Sequence, residues 1–367
     1  MPNPDNLLES TIDYLFRELG NDRVRYAILR NHETLPSLNH QDSPGDVTDI
    51  DLVIDSEDLP RWREIAKRAA AKFQWEFLTE CDHWCQSACR SHHIEVFRFY
   101  RLAPLAFIQV DVFHAQIIWG VPVLNEGDLL ANRRANARGI MCVDPVKERF
   151  QMLMKMPSLV HSRSKQTKKE RYVKKIMSFW SANRDAFELY LQTVLSRSGV
   201  RTLHALQQNN LHWFAFHLTC ARAFAFTRFT LVHPADAMQH VIARAVENRK
   251  RFVTRPCGRL VRVWAPDAVR RQLATGVLYE LRKNNVFDNW SERLDKSPLS
   301  SKHRSIMEQG GLVIEWSDAE TAHLKIAANS DAQDLTKAFL TLLISQDKVL
   351  CGSSASVGTA PALVRSC

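Results

Sequence analysis

The stretch DIDLVID at residues 49–55 constrains the fold more than any other part of the chain, because it mixes acidic and apolar side chains in one short run. Its apolar residues predict a buried β-strand, in which successive side chains point to opposite faces. Asp49 and Asp51 therefore share one face. Two neighbouring carboxylates repel each other and raise each other's pKa. Because a cation would neutralise the pair, the pattern predicts a cation-binding site on one face of a sheet.

The first 145 residues alternate between helical and strand-like patterns, which is typical of an α/β (α+β) domain with a mixed sheet. Helical spacing of apolar residues predicts a helix over residues 5–19, closed by Gly20, and another over residues 58–74. The predicted strands are residues 24–31, 49–55, 75–80, 93–100 and 107–113, with a short strand or turn around Gly120. We expect residues 1–145 to form one domain.

The pattern changes after this domain. Residues 146–254 are helical in pattern and almost free of glycine, and we expect Gly199 to close one of their helices. Residues 255–350 again mix strand-like and helical patterns, which predicts a small α/β segment. The last residues, 351–367, are small and polar, and they are predicted to be disordered.

A third acid follows on a later predicted strand. Asp111 lies in IQVDVF (108–113), flanked by apolar residues. Three carboxylates on neighbouring strands of one sheet could converge on a single point. Mg²⁺ suits such a cluster, because it is bound by one or two carboxylates together with substrate phosphates. Two such ions, with Mn²⁺ as an alternative to Mg²⁺, would stabilise both the attacking and the leaving oxygen of a phosphoryl displacement.

The order of these motifs resembles the DNA polymerase β-type nucleotidyltransferase superfamily. YAILRNHETLP, TDIDLVID and IQVDVFHAQIIWGVPVL are similar in particular to uncharacterised nucleotidyltransferases found with bacterial surface-polysaccharide genes, and the similarity covers roughly residues 5–160. The resemblance implies that Asp49 and Asp51 ligate metal, with one or both bridging two ions. It also implies that Asp111 binds the catalytic metal and helps to activate the acceptor hydroxyl. The implied reaction is attack on the α-phosphate of a nucleoside triphosphate, with release of pyrophosphate.

The chain departs from the superfamily at the end of its first strand. Leu29-Arg30-Asn31 stands where the superfamily usually has the Gly-Ser that holds the β- and γ-phosphates, although the replacement occurs in the subgroup. Arginine binds phosphate bidentately and asparagine donates hydrogen bonds, so we expect Arg30 and Asn31 to contact the nucleotide. Further candidates for the triphosphate are the basic residues Lys155, Arg163, Lys165 and Lys168. The alternative for these residues is a solvated basic face.

A second resemblance concerns the segment RPCGRLVRVWAPDAVRRQL at residues 255–273, which is similar to the opening of a thymidylate-kinase-like P-loop domain. A P-loop needs glycines whose backbone amides surround the phosphates, and a lysine that reaches them. Here Ala265, Ala268 and Arg270 replace the glycines, and Arg271 stands at the lysine position. We expect a degenerate, truncated kinase-like segment that serves structure or partner contact. An unrelated small α/β cap is the alternative.

Charge and hydropathy narrow the choice of partners. The net charge of +9 allows an anionic partner but selects none. The basic run at residues 161–175 has sparse aromatics and no base-reading module, so nucleic acid is not the expected partner. The apolar stretch 211–233 contains Arg222 and Arg228, which argues against a membrane span.

The cysteines do not predict a metal or disulfide framework. No secretory signal is evident, so we expect a cytoplasmic protein whose eight cysteines are free thiols. The run CDHWCQSACRSHH at residues 81–93 suggests zinc, but its cysteines are four apart rather than in paired knuckles. Incidental thiols in a loop and strand are the favoured interpretation.

The sequence therefore predicts a Mg²⁺-dependent nucleotidyltransferase that moves a nucleoside monophosphate from a triphosphate to a small hydroxyl or phosphate acceptor. The link to surface polysaccharide comes from the resemblance alone. The alternative is a non-catalytic protein that binds a nucleotide or a glycan intermediate on the same fold. A nucleic-acid-binding protein is the third and weakest interpretation.

Overall fold

The structure is a computed structural model that describes residues 4–33, 35–36, 50–75, 77–82, 94–102, 105–160, 166–242, 259–283, 290–294, 298–308 and 311–351. Over these residues the fold is a mixed α/β arrangement with a predominantly helical region, as the sequence predicts. The helices are α1 (Pro4–Asn21), α2 (Leu59–Lys72), α3 (Glu126–Leu130), α4 (Pro145–Val160), α5 (Gln166–Ala182), α6 (Arg184–Gln207), α7 (Leu211–Val232), α8 (Ala268–Lys283), α9 (Ser301–Glu308) and α10 (Ala332–Cys351).

The strands include counterparts of all five strands that are predicted by range in the first 145 residues. They are β1 (Tyr26–Ile28), β2 (Ile50–Ile54), β3 (Phe77–Asp82), β4 (Ile94–Leu102), β5 (Leu105–Phe113), β6 (Ala115–Ile118), β7 (Val121–Asn125), β8 (Arg134–Ala135), β9 (Met141–Cys142), β10 (Arg259–Trp264), β11 (Trp290–Leu294), β12 (Leu312–Trp316) and β13 (Leu324–Lys325). The expected strand or turn around Gly120 is the antiparallel hairpin β6–β7, where Trp119 and Gly120 both have positive φ.

The chain forms two compact units that do not coincide with consecutive segments of sequence. The first comprises Met1–Phe73, His92–Ile94 and Val110–Arg244, and the second comprises Gln74–Ser91, Glu95–Gln109 and Ala245–Cys367. Strand β5 therefore contributes residues to both units. The division into segments 1–145, 146–254, 255–350 and 351–367 stays a prediction.

The sheet of the first unit is mixed. Strand β1 pairs antiparallel with β2 and parallel with β9, and β2 pairs parallel with the last residues of β5. All five residues of β2 are buried. Helices α3 to α7 share a hydrophobic core with residues of this sheet, including Ala27, Leu29 and Val53. This core holds β1 and β2 against the helical region, which fixes the positions of the residues that follow β1.

Helix α6 contains a sharp break. Ser196 has φ 62° and ψ −173° inside an otherwise continuous helix that ends at Gln207. The expectation that Gly199 closes a helix is therefore wrong: the break lies three residues earlier, and the helix continues through Gly199. Glycine is needed at position 199 because there is no room for a side chain. A Cβ on Gly199 would lie 2.8 Å from the Leu195 Cβ and 3.2 Å from the Leu191 carbonyl oxygen.

Replacing Gly199 with alanine is expected to lower the free energy of unfolding by about 1–3 kcal/mol, because the added methyl group overpacks the helix break. Gly276→Ala in α8 is the matched control, since nothing lies within 4 Å of the position that its Cβ would take. That control should raise the free energy of unfolding by about 0.5–1 kcal/mol. Urea titrations followed by circular dichroism measure both, and equal effects of the two changes would contradict the packing argument.

Helix α7 is apolar around most of its circumference. Its buried face carries Phe214, Leu218, Ala221 and Ala225, and Asn210 caps its first turn by accepting from the Trp213 amide. Arg222 donates to the Met154 carbonyl at 3.0 Å. None of the helices in the described part of the chain is long and apolar enough to cross a membrane.

The second unit contains a parallel sheet in the order β11–β12–β10–β13. Helix α8 connects β10 to β11, as the pattern of residues 255–350 predicts for an α/β segment. Tyr100 of β4 and Phe107 of β5 lie in the same hydrophobic core as this sheet. At its centre Glu315 is buried and pairs at 2.8 Å with both Arg262 and Arg293, so its charge is compensated.

Candidate functional site

Two of the three predicted acids lie side by side. Asp51 of β2 and Asp111 of β5 are direct partners in the parallel register of the two strands. Each residue is 7% exposed. Adjacent strands lie about 4.8 Å apart, and aligned side chains point to the same face. The sheet therefore brings two buried carboxylates together from positions sixty residues apart in the sequence.

Arg30 neutralises one of these carboxylates. Its Nε donates to the Asp51 Oδ2 at 2.7 Å and its Nη2 donates to the Asp51 Oδ1 at 2.8 Å. The Leu29 amide donates to the Asp51 carbonyl at 2.9 Å, which ties the segment after β1 to β2. The guanidinium also lies 5.8 Å from the centre of the Phe113 ring. Both side chains are buried, at 5% and 9% exposure, so this is a desolvated bidentate ion pair.

Two lysines on the following helices act on the same carboxylate. Burial alone would raise the pKa of Asp51, but the charges of Arg30, Lys155 and Lys168, with the Arg30 hydrogen bonds, hold that pKa below its usual value. Lys155 lies on α4 with an exposed side chain, and Lys168 lies on α5 and is half-buried. Arg30 after β1, Lys155 on α4 and Lys168 on α5 therefore all bring positive charge near Asp51.

Asn31 has an unusual backbone and an unused acceptor. Its φ is 59°, a left-handed conformation that asparagine tolerates better than most residues. Its Nδ2 donates to the Tyr172 hydroxyl at 3.3 Å, which links the segment after β1 to α5. The Oδ1 is buried and has no hydrogen-bond partner among the described residues. A buried acceptor of this kind is costly unless another group satisfies it, so Oδ1 is an unfilled position directly after Arg30 in the chain.

The residues after Asn31 form an ion-pair cluster that the sequence patterns did not reveal. His32 Nε2 lies 3.4 Å from Glu148 Oε2, and Glu33 Oε1 lies 2.6 Å from Lys175 Nζ. The donor atoms of His32, Glu33 and Glu148 all lie within 4.8 Å of one another, which is a spacing that could hold a metal ion. The acids, however, already face cations, since Glu148 also lies 2.6 Å from Arg149. These contacts favour an ion-pair network over a metal centre.

The charge state of His32 makes this network sensitive to pH. The Cys142 thiol and the Glu148 carboxylate raise the pKa of His32 to about 10. The Glu148 carboxylate is the charged partner, and its Oε2 lies 3.4 Å from the His32 Nε2. The unfolded histidine has a pKa of about 6.5. The stabilisation is therefore complete below about pH 6.5 and is lost as the pH rises towards 10.

Replacing His32 with glutamine is expected to lower the free energy of unfolding by about 1–3 kcal/mol at pH 6, because Glu148 loses a charged partner. The difference from the unmodified protein should shrink as the pH approaches 10. Urea titrations at pH 6 and pH 9.5 measure it, with His212→Gln on an exposed position of α7 as the control. A difference that does not change with pH would show that His32 acts only by packing.

The structure describes most, but not all, of the predicted site residues. Asp51, Asp111, Arg30 and Asn31 are buried within the first unit, and Lys155 acts on Asp51 from α4. Asp49, Arg163 and Lys165 lie outside the described residues. The paired carboxylates fit a Mg²⁺ site in their chemistry, because they offer buried oxygen ligands on one face. Arg30 donates one hydrogen bond to each oxygen of Asp51, so a metal ion there would share these oxygens with the guanidinium.

The segment that resembles a P-loop opening has a carboxylate at the start of its helix. Asp267 precedes α8, and its carboxylate accepts from the Arg270 amide at 2.9 Å. A carboxylate at the start of a helix takes the place that a phosphate would occupy and repels it. Arg271, at the lysine position, lies 5.6 Å from the centre of the Trp316 ring. The interpretation of the segment as a degenerate kinase-like remnant stays a prediction.

The zinc-like run lies mostly outside the described residues, which exclude residues 83–93. The interpretation of Cys85, Cys89, His92 and His93 as incidental groups therefore stays a prediction. In the described part of the chain, Cys142 is a buried free thiol and Cys220 is a partly buried one. Both agree with the expectation that these cysteines are free.

Comparison with known proteins adds little to this geometry. No family model matches the chain, and no curated protein matches its sequence. Among solved structures, the chain is similar to an antigenic nucleotidyltransferase-like protein from Paracoccidioides brasiliensis, with 14% identity and a TM-score of 0.33. The match covers 61% of this chain and 95% of that chain. A likeness at this TM-score carries no argument, so the function rests on the site itself.

Proposed function

We propose that this protein is a Mg²⁺-dependent nucleotidyltransferase, which transfers a nucleoside monophosphate from a triphosphate to a small hydroxyl or phosphate acceptor. The observation that carries the proposal is the direct pairing of Asp51 with Asp111 on adjacent parallel strands, where both carboxylates are buried. Buried like charges persist only where cations compensate them. In this proposal, Asp51 and Asp111 bind a cation, and the nearby basic residues Arg30, Lys155 and Lys168 bind an anion.

The acids would hold the metal. Asp51 and Asp111 would each provide carboxylate oxygens, and Asp49 would add a third carboxylate if the two-residue period of β2 continues back to it. When bound, two Mg²⁺ or Mn²⁺ ions supply electrostatic stabilisation of the attacking and leaving oxygens. In this proposal Asp111 also positions the acceptor hydroxyl and receives its proton.

In this proposal, Arg30 would move from the Asp51 carboxylate to the phosphates of the nucleotide. In the structure its guanidinium donates one hydrogen bond to each oxygen of Asp51. Carboxylate and phosphate are both bidentate partners for arginine, so the guanidinium could turn to the β- and γ-phosphates once a metal ion compensates Asp51. The Asn31 Oδ1 could accept a hydrogen bond from a ribose or acceptor hydroxyl, and the charges of Lys155, Lys165 and Lys168 would compensate the triphosphate.

The test is a screen for pyrophosphate release. The four nucleoside triphosphates are combined with Mg²⁺ or Mn²⁺ and a panel of sugars, sugar phosphates and other hydroxyl compounds. Surface-polysaccharide intermediates come first, because the sequence resemblance points to them. We expect acceptor-dependent release that is lost in Asp49→Asn/Asp51→Asn. Absence of release across the panel, with no nucleotide-dependent rise in melting temperature, would refute the proposal.

The second candidate is a non-catalytic protein that binds a nucleotide or a glycan intermediate. The observation that favours it is the Arg30–Asp51 pair, because both oxygens of a proposed metal ligand are already satisfied by the protein. The two candidates separate in the same experiment. A nucleotide that raises the melting temperature without Mg²⁺, and without pyrophosphate release, supports the second candidate.

A further inference from the structure

A surface pocket in the helical region has a lining that neither the acidic pair nor its cations explain. Its volume is about 280 Å³, and its lining residues are Arg201, His204, Ala205, Gln208, Trp213 and His217. We propose that this pocket binds a phosphorylated ring compound, with the ring against Trp213 and the phosphate against Arg201. The proposal is independent of nucleotidyl transfer at Asp51 and Asp111.

The helical spacing explains how these side chains meet. Arg201, His204, Ala205 and Gln208 are separated by three, one and three positions, which places them on one face at the end of α6. Helix α6 ends at Gln207 and α7 begins at Leu211, so the connection is short. Trp213 and His217 lie one turn apart on α7 and form the opposite wall. Ala205 is 3% exposed and lacks a long side chain, so space remains between the walls.

The Trp213 ring is exposed to solvent, although neighbouring rings fix its orientation. It is 54% exposed, which is unusual for an indole that serves only the core. The His217 ring stacks on it at 5.5 Å with an angle of 23°, and the Phe216 ring meets it edge-on at 5.6 Å. These contacts orient the indole while leaving part of it open to solvent. Indole faces stack well on bases and on other ring compounds, so Trp213 is suited to a ligand that contains a ring.

The polar lining selects an anion. The lining contains a guanidinium, two imidazoles and a carboxamide, and none of its six residues is acidic. Among the described residues, no carboxylate forms an ion pair with Arg201, so its guanidinium is available to a phosphate. Gln208 and His204 add groups that can hydrogen-bond to hydroxyls or ring nitrogens. Arg201 thus supplies the charge, and its neighbours on α6 supply orientation.

The size of the pocket limits the ligand. A volume of about 280 Å³ lies just below the usual range of ligand pockets, which is about 300 to 1,000 Å³. It suits one ring with one phosphate and is too small for a dinucleotide. Sugar phosphates and nucleoside monophosphates share this chemistry, and binding measurements with each distinguish them.

The test is isothermal titration calorimetry of the full chain with glucose 1-phosphate, adenosine monophosphate and inorganic phosphate. We expect one of the two ring phosphates to bind, and inorganic phosphate to bind at least about tenfold more weakly, because it makes no stacking contact. Trp213→Leu and Arg201→Gln should each weaken binding by about tenfold or more. The matched controls are Phe224→Leu on α7 and Arg197→Gln on α6, which alter exposed residues outside the lining. Both controls should bind within about twofold of the unmodified protein.

Three outcomes would overturn the inference. The first is that neither ring phosphate binds at up to about 10 mM. The second is that Trp213→Leu and Arg201→Gln bind as the controls do. The third is that Asp111→Asn abolishes binding while Trp213→Leu does not, because the ligand then sits at the acidic pair. The third outcome would contradict the pocket proposal but not the proposed transferase. Conversely, if the protein never releases pyrophosphate but a ring phosphate still binds through Trp213 and Arg201, the transferase proposal fails and the pocket proposal holds.

Discussion

Replacing Arg30 with alanine is expected to lower the free energy of unfolding by about 3–5 kcal/mol in metal-free buffer, because the change leaves a buried carboxylate without its partner. The Asp51 side chain is 9% exposed and receives two hydrogen bonds from Arg30. Without the guanidinium, Asp51 must either keep a desolvated charge or take up a proton. Urea titrations in the presence of EDTA measure the loss.

The control for this prediction is the other arginine–aspartate pair near β2. Arg25 Nη1 lies 2.6 Å from Asp55 Oδ2, but the Arg25 side chain is 58% exposed. An exposed pair contributes about 0–1 kcal/mol, so Arg25→Ala should change stability little. If Arg25→Ala and Arg30→Ala destabilise equally, the Arg30–Asp51 pair is not a desolvated contact.

The pH dependence of the Arg30→Ala effect has a defined sign. The pKa of folded Asp51 is lowered below its ordinary value of 3.8. Its stabilisation by Arg30 is therefore present above about pH 4 and is lost as the pH falls below that value. The stability difference between the two proteins should shrink in acid. A difference that grows as the pH falls would contradict the ion-pair argument.

Metal ions should restore part of the stability that Arg30→Ala loses. If Asp51 and Asp111 bind Mg²⁺ or Mn²⁺, the vacated carboxylate becomes a better ligand, and binding to the folded state stabilises it by mass action. We expect a larger rise in melting temperature with Mn²⁺ for Arg30→Ala than for the unmodified protein. An equal rise in melting temperature in the two proteins would show that the stabilising role of Arg30 is unrelated to a metal site.

Replacing Asp111 with asparagine is expected to reduce turnover by about 10³-fold or more, because it removes a charged metal ligand worth several kcal/mol in the transition state. Asparagine has nearly the same shape, and the Arg30–Asp51 pair keeps both partners. The measurement is steady-state pyrophosphate release with the acceptor that the screen identifies. A direct titration with Mn²⁺, followed by its electron paramagnetic resonance signal, gives a readout that does not depend on activity.

Asp55→Asn is the matched control for Asp111→Asn. Asp55 follows β2 and is also buried, but its oxygens accept from the Glu57 amide and pair with Arg25. Its replacement should leave kcat within about twofold and leave Mn²⁺ affinity unchanged. If Asp111→Asn turns over normally, the metal assignment fails. If it loses Mn²⁺ binding in a protein that never releases pyrophosphate, the non-catalytic candidate gains support.

Local sequence patterns predicted the elements that carry the site. The two-residue period of DIDLVID and of IQVDVF predicted strands that agree with β2 and β5, and helical spacing predicted α1 and α2. These patterns depend on neighbours within a few residues, so one segment is enough to read them. Arg30 and Asn31 were nominated by the family resemblance, because they stand where the superfamily usually has Gly-Ser, and not by a local pattern.

Long-range contacts needed the tertiary structure. The two-residue period says that acids share a face, but it leaves the register of β2 against β5 open, and one residue of slip would separate Asp51 from Asp111. Likewise, the residues next to His32 in the sequence do not predict its contact with Glu148, which is more than a hundred positions away. The grouping of Tyr100 and Phe107 with the C-terminal sheet is of the same kind.

The sequence by itself determined that a sheet with acidic strands precedes a helical region, because strand and helix periods are written in adjacent residues. Only the tertiary structure decided that Arg30 directs both of its hydrogen bonds to Asp51, and that Arg201 and Trp213 face one pocket. The reason is physical. The partner of a buried charge is whichever opposite charge the packed core brings within hydrogen-bond distance, and that choice depends on the whole fold.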